Sequence, residues 1–145
     1  MHKADHPRLL IVDDSPSDAR LLKDTLRDYT QSDFVHVVED GQKALEFLHQ
    51  KSNGNPASRP DLIIMDLNMP RVTGLDVLED IKADPELRSI PVIMFTSSED
   101  EADVRRAYDA HVNCFVTKPV EPAGWMRVVA AMETFWLRTV TLPEK

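Results

Sequence analysis

Residues 9–14 read Leu-Leu-Ile-Val-Asp-Asp, four apolar side chains followed directly by two carboxylates. The pattern returns at 62–66, Leu-Ile-Ile-Met-Asp, and at 112–119, where a mostly apolar run ends in Lys118-Pro119. Short apolar runs separated by helical patterns are typical of parallel strands buried on both faces. Because parallel strands end at the same edge of a sheet, these charged side chains are predicted to meet in one crevice, where such sheets bind ligands.

The rest of the sequence alternates between strand-like and helix-like segments. Apolar runs predict strands at 9–12, 34–38, 62–65, 92–95 and 112–116. Helical spacing of apolar residues predicts a helix after each strand, at about 15–29, 41–48, 75–81, 99–109 and 122–137. Ser15, Asp40 and the segment 96–99 carry helix-start signals. Five strand–helix repeats with right-handed crossovers predict an α/β fold with a doubly wound parallel sheet.

Composition limits the class of protein. A chain of 145 residues fits one domain, and its net charge of −8 argues against a general basic face for nucleic acid. The lone Cys114 cannot form an internal disulfide and is expected to be a buried, inert thiol. The polar start lacks a signal-peptide core, and no apolar run approaches the roughly 20 residues of a membrane span. We therefore expect a soluble intracellular protein.

The predicted crevice has the composition of a phosphoryl-transfer site. Asp13, Asp14 and Asp66 would repel one another unless a cation neutralises them. Oxygen ligands without nearby His or Cys favour Mg²⁺ over Zn²⁺. An aspartate can also attack phosphorus, given a cation on the phosphoryl oxygens and hydrogen-bond donors. Lys118, and the hydroxyl of Thr96 after the fourth strand, could be those donors.

Each of these residues also has an ordinary structural explanation. An aspartate at a strand end is more often a turn or helix-capping residue, Thr96 alone would be a cap, and Lys118 alone would be a solvated lysine. The specificity lies in the combination, since every one of them follows a strand of the same predicted sheet.

The motifs together resemble those of response-regulator receiver domains of two-component signalling. They are Ile-Val-Asp-Asp at 11–14, Met-Asp-Leu-Asn-Met-Pro at 65–70, Thr-Ser at 96–97 and Thr-Lys-Pro at 117–119. The resemblance runs from about Arg8 to Leu137. It implies the (βα)5 flavodoxin-like receiver fold with strand order 2-1-3-4-5, and a single receiver domain over 1–145 with its core at about 8–138 and a short extension at 139–145.

The resemblance also implies roles for the acidic residues. Asp66 is expected to be the phosphoacceptor and a magnesium ligand, Asp14 a direct Mg²⁺ ligand, and Asp13 a helper acting through water. The third protein ligand of the family is a backbone carbonyl two residues past the acceptor, which here belongs to Asn68.

Three further residues are expected to detect the phosphoryl group. By resemblance, Lys118 pairs with it, or with Asp66 before phosphorylation, and Thr96 hydrogen-bonds one of its oxygens and moves toward it on activation. Phe115 occupies the position of a Tyr or Phe whose rotamer follows the threonine. Phe lacks the tyrosine hydroxyl, so this coupling is expected to be weaker or to depend on packing alone.

A narrower resemblance comes from the loop at 52–60 and the apolar ending at 133–143. Both are similar to single-domain response regulators associated with phytochrome histidine kinases. That subgroup implies a homodimer through the fourth helix, fifth strand and fifth helix. Apolar side chains that continue past the expected end of the domain favour the same interface: Phe135, Trp136, Leu137, Val140 and Leu142.

The sequence therefore predicts a phosphoryl switch in the cytoplasm, without DNA or membrane contact. A sensor histidine kinase, of the bacteriophytochrome type, would donate the phosphoryl group to Asp66. The chain would not be an enzyme beyond its own phosphorylation and dephosphorylation.

Three alternative classes of protein fit the sequence less well. A haloacid-dehalogenase-type phosphatase would have an Asp-x-Asp pair and a cap region. A flavodoxin-like electron carrier would have a Ser/Thr/Gly-rich loop where 13–18 is acidic. A receiver that only binds, without phosphorylation, would have an incomplete acidic set.

Overall fold

The computed structural model describes residues 7–26, 34–50 and 59–143. Five parallel strands form one sheet in the order β2-β1-β3-β4-β5, which confirms the predicted topology. The strands are β1 Leu9–Val12, β2 Val35–Val38, β3 Leu62–Met65, β4 Val92–Thr96 and β5 Cys114–Thr117. The helices are α1 Pro16–Leu26, α2 Gly41–Leu48, α3 Gly74–Ala83, α4 Glu101–Asp109 and α5 Pro122–Glu133, and α5 continues into a π-helical segment, Thr134–Thr139.

Alternate side chains of the central strands face two separate cores. In β1, Leu10 and Val12 pack on the side of α2, α3 and α4, whereas Leu9 and Ile11 pack on the side of α1 and α5. This explains why the strand sequences are apolar throughout instead of alternating, since both faces of the sheet are covered. Among the described residues, no helix is both long enough and apolar enough to cross a membrane.

The structure corrects the predicted start of α4. The segment 96–99 was predicted to begin this helix, but Thr96 still belongs to β4 and pairs with Thr117 of β5. The helix begins at Glu101, and the Asp100 side chain caps it by accepting a hydrogen bond from the Ala102 N–H at 2.9 Å. An Asp cap four residues further on competes successfully with the Thr-Ser-Ser signal because the sheet still holds Thr96.

The predicted start of β5 at 112 is also wrong, by two residues. The Val112 N–H bonds the carbonyl of Ala107, so residue 112 completes the turn that ends α4. His111 closes that turn with a φ of 73°. Pairing with β4 then begins at Cys114, which is half-buried and not fully buried as predicted.

Two other boundaries also shift. β2 begins at Val35, one residue later than predicted, and the last helix leaves α-helical geometry after Glu133 instead of continuing to Leu137. The predicted end of the first helix near Tyr29 and most of the predicted loop at 52–60 lie outside the described residues.

Candidate functional site

The ends of four strands place the predicted site residues at one edge of the sheet, which we call the carboxyl edge. Backbone bonds extend the strand ladder by one step at three of them. The Asp13 N–H bonds Val38 O at 3.2 Å, the Asp66 N–H bonds Val12 O at 2.8 Å, and the Lys118 N–H bonds Thr96 O at 2.7 Å. The backbone of each charged residue is therefore fixed by its neighbour strand.

Lys118 is the centre of the carboxyl edge. Its ammonium donates to Oδ2 of Asp13 at 2.8 Å, of Asp18 at 2.9 Å and of Asp66 at 3.0 Å, and its side chain is only 4% exposed. An ammonium has three N–H donors, so all of them have a carboxylate partner. The prediction that Lys118 contacts Asp66 agrees with this geometry.

Asp18 was not among the predicted site residues. It lies in the first turn of α1, where its own N–H bonds the Ser15 hydroxyl oxygen at 3.3 Å. Two features of the sequence could have indicated Asp18: the acidic character of the loop at 13–18 and the helix start at Ser15-Pro16. A helix that begins directly after β1 keeps its first turn beside the carboxyl edge.

Burial and charge act in opposite directions at this cluster. Burial alone would lower the pKa of Lys118, but hydrogen bonds and charge interactions with Asp13, Asp18 and Asp66 raise it above its ordinary value. The pKa of Asp13 is raised, mainly by burial, although the bonds from Lys118 and from the Ser15 N–H oppose that effect. The lysine is therefore charged at neutral pH. Burial makes the ionised form of Asp13 less favourable than it would be in water.

Asp13, Asp14 and Asp66 can share a metal ion. Each offers a carboxylate oxygen, and these oxygens lie within 4.8 Å of one another, with Asp14 exposed and the other two buried. Oxygen-only donors of this kind suit a hard divalent cation that keeps several waters. The residues present therefore fit Mg²⁺ or Mn²⁺.

The turn after β3 brings further groups to Asp66. The Asn68 N–H bonds Asp66 Oδ1 at 3.3 Å, which keeps Asn68 beside the carboxylate. Gly74, the first residue of α3, bonds Leu67 O through its N–H at 2.8 Å. A Cβ at this position would lie 2.2 Å from the carbonyl oxygen of Asp66, so a glycine is required for α3 to begin so close to the site.

Thr96 is fully buried, and its hydroxyl oxygen accepts a hydrogen bond from the Ser98 N–H at 3.4 Å. The Ser98 hydroxyl donates to Asp103 of α4 at 2.6 Å, and the Thr117 hydroxyl donates to Ser98 O at 3.3 Å. Ser98 therefore joins the end of β4 to α4 and β5. From the sequence, Ser98 is predicted only to be part of a helix start.

Phe115 lies half-buried in β5, against the core on the α4 side of the sheet. Its N–H bonds the hydroxyl of Tyr108 of α4 at 3.2 Å. The Phe115 side chain has no hydroxyl, but a hydroxyl of the neighbouring helix bonds its backbone N–H. Phe115 therefore contacts α4 directly, whereas Thr96 is linked to α4 through Ser98.

Residues 9–130 match the family described as the response regulator receiver domain. The chain belongs to that family. This receiver is 41% identical over 135 residues to response regulator Rcp1 of Synechocystis sp., and the match covers 93% of this chain and 92% of the relative.

Two solved structures resemble this receiver closely. The phosphorylated cyanobacterial phytochrome response regulator RcpA has a TM-score of 0.89 and 41% identity, covering 96% of this chain and 99% of the other. The Mn²⁺-bound form of response regulator Rcp1 has a TM-score of 0.85 and 39% identity, covering 95% and 99%. These likenesses confirm the predicted family and its resemblance to phytochrome-associated regulators.

Proposed function

We propose that this receiver is a phosphoryl switch in which Asp66 accepts a phosphoryl group from a phosphohistidine of a sensor kinase. One observation supports this most directly. The Asp66 carboxylate contacts a lysine ammonium at 3.0 Å, and two further carboxylates lie close enough to share a cation with it. The similar RcpA structure is that of a phosphorylated response regulator, which favours the same chemistry here.

In the proposed reaction, an Asp66 oxygen attacks phosphorus in line with the departing histidine nitrogen. A phosphorus–oxygen bond forms, the phosphorus–nitrogen bond breaks, and the imidazole nitrogen keeps the electron pair. Asp13, Asp14, Asp66 and the Asn68 carbonyl would hold Mg²⁺, which spreads the charge of the phosphoryl oxygens. The similar response regulator Rcp1 has a Mn²⁺-bound form, which supports the proposal that this receiver binds a divalent cation.

After transfer, Lys118 would pair with the phosphoryl group and the Thr96 hydroxyl would turn toward it. That turn breaks the bond from the Ser98 N–H, and Ser98 also holds α4 through Asp103. The phosphoryl group would carry a charge of about −1.5 to −2 in place of the single negative charge of the Asp66 carboxylate, and this change can shift the population of α4 positions. Phe115 would follow by repacking against α4, with the bond to Tyr108 as the contact that changes.

The output would be association of two receivers through the face formed by α4, β5, α5 and the π-helical segment, which we call the output face. Tyr108 and Phe135 are 48% and 52% exposed there. Exposed apolar groups of this size often mark an interface. We propose further that 1–145 is one receiver domain acting in the cytoplasm, where a phytochrome-type kinase would be its donor. The likeness to RcpA, a phytochrome response regulator, supports that partner.

Phosphorylation is tested by intact-mass spectrometry. With Mg²⁺ and acetyl phosphate, the unmutated chain should gain one phosphoryl group and Asp66→Asn should gain none. Asp24→Asn, on the exposed side of α1, is the matched control and should behave as the unmutated chain does. An unmutated chain that gains no adduct would refute the proposal.

Association is tested by sedimentation with and without Mg²⁺ and beryllofluoride, a phosphoryl analogue. The sedimentation coefficient should change when the analogue is added, and Phe135→Ser should abolish the dimer. Val37→Ser, an exposed apolar residue on the opposite edge strand, should leave it intact. Equal loss in both variants would exclude the output face as the interface.

A further inference from the structure

We propose that Asp18 is a positioning residue for Lys118, which holds one N–H of the lysine away from the phosphoryl site until a phosphoryl group displaces it. This inference rests on the proposed phosphorylation of Asp66. It adds a regulatory competitor to the site: the affinity of the carboxyl edge for a phosphoryl group would be set in part by how firmly Asp18 keeps its hydrogen bond.

The hydrogen bonds of the lysine create the competition. Three carboxylates from β1, α1 and β3 occupy the three N–H groups at 2.8, 2.9 and 3.0 Å. A phosphoryl oxygen can bond the ammonium only if one of these partners is released. Lys118 cannot turn freely to offer another donor, because its side chain is 4% exposed.

Asp18 is the partner that can leave at the smallest cost. Its side chain is 34% exposed, whereas those of Asp13 and Asp66 are 5% and 10% exposed. A carboxylate that regains water recovers much of the lost bond, but a buried one does not. Asp18 also lines a cleft of about 610 Å³ with Leu21, Glu99 and Val120, which gives it room to turn outward.

Charge acts in the same direction as hydrogen bonding. Asp13, Asp14, Asp18 and Asp66 bring four negative charges to the edge, against one positive charge on Lys118. Asp18 is the one of the four that is outside the candidate metal group, so its charge would repel a phosphoryl group without helping to hold the cation directly. Removing Asp18 should favour phosphoryl binding for two reasons, because it frees one N–H of Lys118 and removes one repelling charge.

The position of Asp18 depends on α1 and not on the strands. Its N–H bonds Ser15, and the positive end of the α1 dipole favours a carboxylate in this turn. An asparagine is compatible with the same turn, so Asp18→Asn is expected to fold. Asp18→Ser provides a second variant that removes both the charge and the reach to Lys118.

The experiment is a calorimetric titration of the full chain, first with Mg²⁺ and then with beryllofluoride in saturating Mg²⁺. Asp18→Asn and Asp18→Ser should bind beryllofluoride about three- to tenfold more tightly than the unmutated chain, the range expected for loss of a partly exposed ion pair. Their Mg²⁺ affinity should be equal or slightly weaker, because an acidic neighbour is gone. Tighter binding of beryllofluoride without tighter binding of Mg²⁺ cannot come from a merely loosened fold.

Two matched controls carry the same charge change without the contact. Asp24→Asn is on the same helix, and Glu99→Gln is in the same cleft, and both should stay within about twofold of the unmutated chain. If Glu99→Gln bound beryllofluoride as tightly as the Asp18 variants do, the effect would come from net charge alone, and the proposed role of Asp18 would be overturned. Unchanged or weaker beryllofluoride binding in both Asp18 variants would also overturn it. An unmutated chain that binds neither Mg²⁺ nor beryllofluoride would instead refute the proposed phosphorylation itself.

Discussion

The carboxyl edge and the output face are held in place by different means. Asp13, Asp66, Thr96 and Lys118 are all less than a tenth exposed, and strand-to-strand backbone bonds fix three of them. On the output face, all of β5 is half-exposed, and of the nine residues of α4, all described, Ala107 alone is buried.

The rigid carboxyl edge is suited to the chemical step, and the loosely held output face is suited to the conformational response. Positions set by a sheet ladder cannot shift without breaking several bonds at once, which suits groups that must meet a phosphoryl group. A helix with one buried residue is attached mainly through individual side-chain bonds, each worth about 1 kcal/mol. Segments with few buried contacts are those expected to move at low cost. Substitutions at the carboxyl edge should therefore have larger effects than substitutions on the output face.

The largest expected effect is at the centre of the carboxyl edge. Lys118→Met keeps the apolar stem but leaves three carboxylates without their cation, so the free energy of unfolding should fall by about 3 kcal/mol. Urea unfolding without metal measures it, and millimolar Mg²⁺ should restore part of the loss. Lys43→Met, which removes an exposed pair with Glu39, should have a much smaller effect because solvent screens that pair. If both variants lost the same free energy of unfolding, the buried charge cluster would contribute no more to stability than an exposed ion pair does.

A second substitution at the carboxyl edge should stabilise the fold instead of destabilising it. Burial raises the pKa of Asp13, so the folded state binds that proton more tightly than the unfolded chain does. The stability due to Asp13 is therefore present at low pH and is lost as pH rises from the usual value of 3.8 through the raised pKa. Without metal, Asp13→Asn should unfold at a higher urea concentration than the unmutated chain at pH 7.

The advantage of Asp13→Asn should vanish at low pH, where Asp13 itself is protonated. Millimolar Mg²⁺ should stabilise the unmutated chain more than the variant, because the variant lacks one of the three clustered carboxylates. If Asp13→Asn were the less stable protein at pH 7 in the absence of metal, the hydrogen bond from Lys118 would outweigh burial.

The output face should respond more weakly. Tyr108→Phe removes the acceptor for the Phe115 N–H, a single exposed bond, and should cost about 0.5–1 kcal/mol locally. Hydrogen exchange at the Phe115 amide should become faster, while the Ile63 and Met94 amides in the central strands should exchange as before. Faster exchange in the central strands as well would show that α4 is part of one rigid unit with the sheet.

Strand periodicity explains which of these residues could be predicted. Asp13, Asp14, Asp66 and Lys118 follow apolar runs directly or within two residues, and parallel strands place the residues that follow them at one edge. The roles of these residues remain predictions. Asp18 could not be found in this way, because its contact depends on the direction in which α1 leaves β1 and on one side-chain rotamer, neither of which apolar spacing encodes.

Competition between local signals explains the errors at α4 and β5. Thr-Ser-Ser at 96–98 has the composition of a helix cap, yet pairing with β5 keeps Thr96 in the sheet. Val112 has strand propensity, yet its N–H completes the last turn of α4. At Thr96 the pairing with another strand outweighs a local preference, and at Val112 the backbone bond that ends α4 outweighs strand propensity. Both places adjoin the output face, where few residues are buried.

The smallest expected effect is a chemical one at the first residue of β5. Burial raises the pKa of the Cys114 thiol, and a hydrogen bond from Trp136 of the π-helical segment only partly opposes this. Because the thiolate is the reactive form, iodoacetamide at pH 8 should alkylate Cys114 at least about tenfold more slowly than free cysteine, and faster as pH rises toward the raised pKa. Trp136→Ala should accelerate the reaction by uncovering the sulfur, whereas Met126→Ala, at an exposed position of α5, should not. A Cys114 that reacts as fast as free cysteine would show that the π-helical segment lifts away from β5 in solution, and the output face would then be more loosely attached than its packing indicates.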